Sequence, residues 1–127
     1  MHTLLAAAAA TTVLVGLVHS VVGELMIFQK VRRSGIVPTD AAPPLQSRNI
    51  RILWATWHLA SAFGFGFAGV LIALARSASI PDPLVVRSMA VALAVSAALV
   101  FGATRGKHPG WIGLLAASVL AYLGRNP

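Results

Sequence analysis

A chain of 127 residues has the length of a single domain. Its composition, 57% hydrophobic and only 10% charged with mean hydropathy +0.82, is too apolar for a soluble domain. A net charge of +7 would suggest nucleic acid in a soluble protein. Here the ten Lys and Arg stand at the ends of apolar runs, where anionic headgroups meet them, and no soluble module carries a nucleic-acid site. The absence of cysteine excludes disulfides, thiol catalysis and thiolate metal sites. The apolar runs are continuous rather than alternating, so helices and not a barrel are expected in lipid.

The first apolar run is residues 3–28. It has no Lys or Arg before it and outlasts the core of a signal peptide, so it reads as a transmembrane helix. Residues 29–51 form the longest connection, opened by Lys30, Arg32 and Arg33, broken by Gly35, Pro38, Pro43 and Pro44, and closed by Arg48 and Arg51. The second run, 52–75, starts with Trp54 and Trp57 at the depth of an aromatic belt, a role that Trp111 shares further on. A turn at Pro81-Asp82-Pro83 leads into the third run, 84–104, and Arg105 to Pro109 into the fourth, 109–124. His108 there reads as a helix-start or headgroup residue. The last run is short for a span, and Gly124 followed by Arg125 reads as its stop.

These elements predict an all-α fold, a four-helix transmembrane bundle with short loops. Seven Lys and Arg fall around the first and third connections, against three around the second and the C-terminal tail. Positive residues favour the cytoplasmic side, which places both termini outside.

Two stretches set ionisable side chains well inside apolar runs, His19-Ser-Val-Val-Gly-Glu24 and Trp54-Ala-Thr-Trp-His58. Counted from the shared connection, Glu24, Ser20 and His58 fall at similar depth in an antiparallel hairpin, with His19 a little deeper. Thr12, Gly16, His19 and Gly23 follow the spacing of one helix stripe, and such small residues let helices approach closely. A charge facing lipid costs at least about 2.5 kcal/mol, so His19, Ser20, Glu24 and His58 are expected to form a buried polar cluster. Glu24 is expected to be protonated or paired, with His58 and, from the same side, Arg48 or Arg51 as candidate partners. A second stripe, Ala60, Gly64 and Ala68, is expected to pack against another subunit.

Two His and one Glu match a catalytic zinc set in type, with Glu24 and His58 as candidate ligands. His19 and Glu24, five residues apart, splay by roughly 140° around a helix, so one metal could hardly take both. A haem needs two opposed axial ligands, for which His19 and His58 are the candidate pair, although their depths differ. An enzyme is the poorest reading: there is no Ser–His–Asp set, no paired carboxylates and no phosphate-binding glycine loop.

The pair His19-Ser20-x-x-Gly23-Glu24 and Trp57-His58-x-x-Ser61 resembles a group of small four-helix bacterial inner-membrane proteins with no assigned activity. The resemblance covers roughly residues 16–65 and implies the fold, the hairpin site and an inner-membrane location. It supplies no chemistry. The expected function is therefore a structural or accessory subunit of a membrane complex or homo-oligomer, in contact with anionic lipid. The alternatives are an oligomeric transporter or channel with a proton-sensitive Glu24/His58 site, and a haem-, pigment- or metal-binding membrane protein.

Overall fold

The computed structural model describes residues 2–78 and 81–124; Arg125, counted above among the outer cations, lies outside them. The described residues are helical, with no strand. They form α1 (Thr3–Met26), a 3-10 turn (Phe28–Val31), α2 (Ser47–Arg76), α3 (Pro83–Thr104) and α4 (Gly110–Leu123). The first three α-helices are long and apolar enough to cross a membrane. Less than a third of each of those spans is buried within the chain, so their flanks need apolar surroundings from elsewhere. The fourth has 14 residues, roughly 21 Å of helix at 1.5 Å per residue, short of a hydrocarbon core of roughly 30 Å.

α1 and α2 each contribute to two compact units. The first unit comprises residues 1–15 and 64–127. Its core is small-residue packing: Leu5, Ala8 and Ala9 of α1, Ala68, Leu71 and Ala75 of α2, Val86, Met89 and Ala90 of α3, and Ala121 of α4. Alanine removes side-chain bulk at the contacts, which lets backbones close up. The His2 N–H donates to the Ala75 carbonyl at 2.8 Å, tying the start of α1 to the end of α2. Gly124 ends α4 against Leu5, where an added Cβ would stand 2.9 Å from Leu5 Cδ2. Ser118 sits on the buried face of α4 and donates to the Ala90 carbonyl at 2.7 Å, an interhelical bond in the core.

The helix ends follow local rules. Asp82 caps α3, its Oδ1 accepting from the Leu84 N–H at 2.7 Å, with Pro83 in the first turn, where its missing N–H is not needed. α3 stops as Arg105 and Gly106 turn left-handed (φ 51° and 74°), and the Gly106 N–H closes back on Phe101 O at 2.8 Å. His108 serves the start of α4: its Nδ1 accepts from the Gly110 N–H at 3.1 Å. Trp111 donates to the Gly106 carbonyl at 3.2 Å and meets Phe101 edge-on.

The second unit, residues 16–63, is the end of α1, the connection and the first half of α2. α2 begins at Ser47, five residues before its apolar run. Phe28 and Ile50 are buried in this unit. Asp40 N–H donates to Val31 O at 2.9 Å, and Arg33 pairs with Asp40 at 2.9 Å, which closes the connection on itself.

Candidate functional site

The facing surfaces of the second unit follow from helix periodicity. On α2, Trp54, Trp57, His58 and Ser61 are spaced i, i+3, i+4, i+7 and make one face. On α1, His19, Ser20, Gly23 and Glu24 make the other. The two sets meet residue by residue.

Trp57 makes the closest approach to the α1 backbone at Gly23. Its indole lies across α1 at Gly23, where any Cβ would overlap the ring nitrogen and the adjoining ring edge. Only glycine permits that approach. Trp57 Nε1 donates to the His19 carbonyl at 3.0 Å, sharing an acceptor that the helix already uses. The His19 imidazole stacks on the indole, with centroids 4.1 Å apart and planes 9° from parallel, and Phe28 meets the indole edge-on at 5.7 Å.

Beside this stack runs a polar chain. Ser61 and Ser20 share a hydrogen bond of 2.9 Å, and Ser20 Oγ lies 3.1 Å from His58 Nδ1. His58 Nε2 is 3.6 Å from Glu24 Oε2, an electrostatic contact too long for a hydrogen bond. Trp54 Nε1 donates to the same oxygen at 3.1 Å and meets the His58 ring edge-on at 4.9 Å. Arg32 pairs with the other oxygen, Oε1. Glu24 lies in the last turn of α1, where the negative end of the helix dipole disfavours a carboxylate. The guanidinium and the indole N–H offset that, with Glu24 and Arg32 both about three-quarters covered (side chains 27% and 23% exposed).

The imidazole admits two proton arrangements. In one, Ser20 donates to Nδ1, Ser61 donates to Ser20, and Nε2–H faces the carboxylate. In the other, Ser20 donates to Ser61 and a doubly protonated ring donates Nδ1–H to Ser20 while its charge faces Glu24. Both leave each member of the chain with a partner. Moving between them reverses the hydroxyl direction along Ser61–Ser20, which follows whether His58 Nδ1 carries a hydrogen.

The structure thus brings Ser20, Glu24 and His58 into one network and sets His19 beside it, against Trp57. The cation on Glu24 is Arg32, not Arg48 or Arg51. Both of those are exposed on α2. The 3-10 turn after α1 folds Arg32 back over the last helical turn, which a count of apolar residues could not anticipate. Trp54 and Trp57 turn their indole N–H groups to Glu24 and to the His19 carbonyl within the hairpin. Their signal was present in the sequence: an indole N–H needs an acceptor when covered, and both share the face of His58. In the stripe Ala60, Gly64, Ala68, only Ala60 is exposed; a Cβ at Gly64 would meet Thr12 at 4.0 Å, and Ala68 is buried in the core of the first unit.

No group of three or more His, Asp or Glu side chains among the described residues stands close enough to hold a metal ion. The two nitrogens of His58 face Ser20 and Glu24, so the ring could ligate only by giving up one of them. Comparison with protein-family models, with curated proteins and with solved structures finds no match.

Proposed function

We propose that the protein is a small integral membrane protein of structural or accessory type, whose α1/α2 hairpin is locked by the Trp57–Gly23 contact and the Ser61–Ser20–His58–Glu24–Arg32 chain. The observation that carries this is the engagement of the network. Glu24 faces Arg32, Trp54 and His58 together, and His58 is held at both ring nitrogens. Such a site resembles the hydrogen-bonded glue that holds helices together where lipid gives them no other reason to associate. The apolar flanks of α1, α2 and α3 face lipid or a further membrane subunit. The bacterial inner membrane is the proposed location, with α4 packed at the side of the three full spans.

Orientation follows from charge. Lys30, Arg32, Arg33, Arg48, Arg51, Arg105 and Lys107 belong on the cytoplasmic side, which leaves both termini outside. Single cysteines at Thr39 and Ala78 test this with an impermeant thiol reagent. In intact cells only position 78 should react; labelling at 39 instead would invert the arrangement.

The accessory role is tested by the mass of the assembly extracted from native membranes in mild detergent. A complex heavier than the 13.2 kDa chain, resolving into copies of it or into other membrane subunits, is expected. A single chain with its lipids and detergent would defeat the role. A second reading, a proton-responsive site, is favoured by one observation, the imidazole between a hydroxyl pair and a carboxylate. Proton-dependent flux in liposomes, lost in Glu24→Gln with the fold intact, would favour that reading over the lock.

A further inference from the structure

The second unit carries an apolar groove of about 370 Å³, lined by Ile27 and Phe28 after α1, by Leu53, Thr56, Trp57 and Ala60 of α2, and by His19. The Thr56 hydroxyl hydrogen is taken up by the Ile52 and Leu53 carbonyls, so it is not a free donor to the groove. A purely apolar groove in a membrane would hold any lipid tail. This one adjoins the basic connection that follows α1.

The chain holds three Asp and Glu side chains in all. Glu24 pairs with Arg32, Asp40 pairs with Arg33, and Asp82 caps α3. The exposed Lys30, Arg48 and Arg51 of the second unit are therefore left without a carboxylate among the described residues. Their directions differ. The Lys30 N–H bonds to the Ile27 carbonyl at 3.2 Å, so the exposed Lys30 follows the groove-lining Ile27 by one 3-10 turn. On α2, Arg48 and Arg51 lie roughly 130° and 170° around the helix from the groove-lining residues. Asn49 is the polar residue on the groove side, one turn before Leu53. Its Oδ1 is engaged by the Gln46 N–H at 3.0 Å, which leaves the carboxamide NH2 as a donor.

We infer that this groove binds one anionic phospholipid, its acyl chain between Ile27 and Leu53 and over Trp57, its phosphate on Lys30 and the Asn49 amide. The occupant must be apolar over several residues and anionic at the end where the groove meets the connection, and a membrane phospholipid with net negative charge has that form. The proposal rests on the membrane reading above. It adds a defined site to the general attraction of basic turns for headgroups.

The test uses the full chain, first checked for retention in the membrane pellet at alkaline pH, then purified in detergent. Native mass spectrometry would follow titration with phosphatidylglycerol, phosphatidylcholine and inorganic phosphate. One phosphatidylglycerol per chain is expected, held more tightly than phosphatidylcholine by on the order of fivefold, the effect of one lysine near a headgroup. Lys30→Gln should abolish that preference while still binding both lipids. Ala60→Phe, which fills an exposed position of the groove, should weaken both. Arg48→Gln should change neither. Equal retention of the two lipids, a preference that survives Lys30→Gln or falls with Arg48→Gln, or displacement of the lipid by inorganic phosphate would overturn the site. Release of the chain from the pellet would overturn the membrane reading itself, and the site with it.

Discussion

Gly23→Val is expected to be the most damaging single substitution in the second unit, destabilising the protein by about 3 kcal/mol. Any Cβ at that position overlaps the Trp57 ring, with Cζ2 still 2.8 Å away and the indole nitrogen nearer. The backbone of α1 cannot yield, and the indole is held on its other sides by His19 and Phe28. The ring must leave. Forced repacking costs roughly 1–3 kcal/mol. The departing indole also loses its bond to the His19 carbonyl and a stack of roughly 0.5–1.5 kcal/mol. Gly23→Ala should show most of the effect, because the first carbon already clashes. Unfolding in mixed detergent, followed by tryptophan fluorescence, measures the loss. The decisive comparison is Gly23→Val in a Trp57→Ala background, where the cost should shrink to well under half. A cost that stays the same would mean that Gly23 matters for some reason other than the indole.

The second large effect is at Glu24. Glu24→Ala should destabilise by about 2 kcal/mol, since it strands a largely covered guanidinium and leaves the Trp54 N–H without its acceptor. Polar contacts in membranes average roughly 0.6 kcal/mol and reach about 1.7, so this site stands at the upper end because one carboxylate serves three partners. Two double-mutant cycles apportion the effect. The Glu24/Arg32 cycle should show the larger coupling, and Glu24/His58 a smaller one, because the 3.6 Å approach is not a hydrogen bond. Strict additivity in both cycles would remove the carboxylate from the lock altogether. Glu24→Gln should fall between wild type and alanine, keeping an acceptor for Trp54 while losing the charge that Arg32 faces.

Much of this site was legible before any coordinates. The period of 3.6 put Ser20 and Glu24 on one face of α1, and the depth count set His58 of α2 level with them, while Ser61 entered only through the resemblance. The cost of a charge in lipid then required those faces to turn inward. The same reasoning stopped short at Trp54 and Trp57, because tryptophan near the end of an apolar run has a second use at the interface. Spacing alone does not choose between an indole that faces headgroups and one that faces a neighbouring helix. Gly23 was visible only as one member of a small-residue stripe. That it seats an indole, and not merely another backbone, needs the position of α2.

What the sequence determined by itself is what depends on composition and period: helices rather than strands, their number, the inward polar faces and the imbalance of positive charge between the turns. What only the tertiary structure decided is register and partnership. α2 begins at Ser47 because a helix needs backbone hydrogen bonds, not apolar side chains, so Ser47 to Arg51 are helical although the hydropathy pattern excluded them. That start, together with the 3-10 turn at Phe28–Val31, brings Arg32 to Glu24 and leaves Arg48 and Arg51 on the outside. Gly64 and Ala68 went to contacts within the chain for a related reason. A small residue permits close approach to whatever helix comes near, and which helix that is depends on how the whole chain packs.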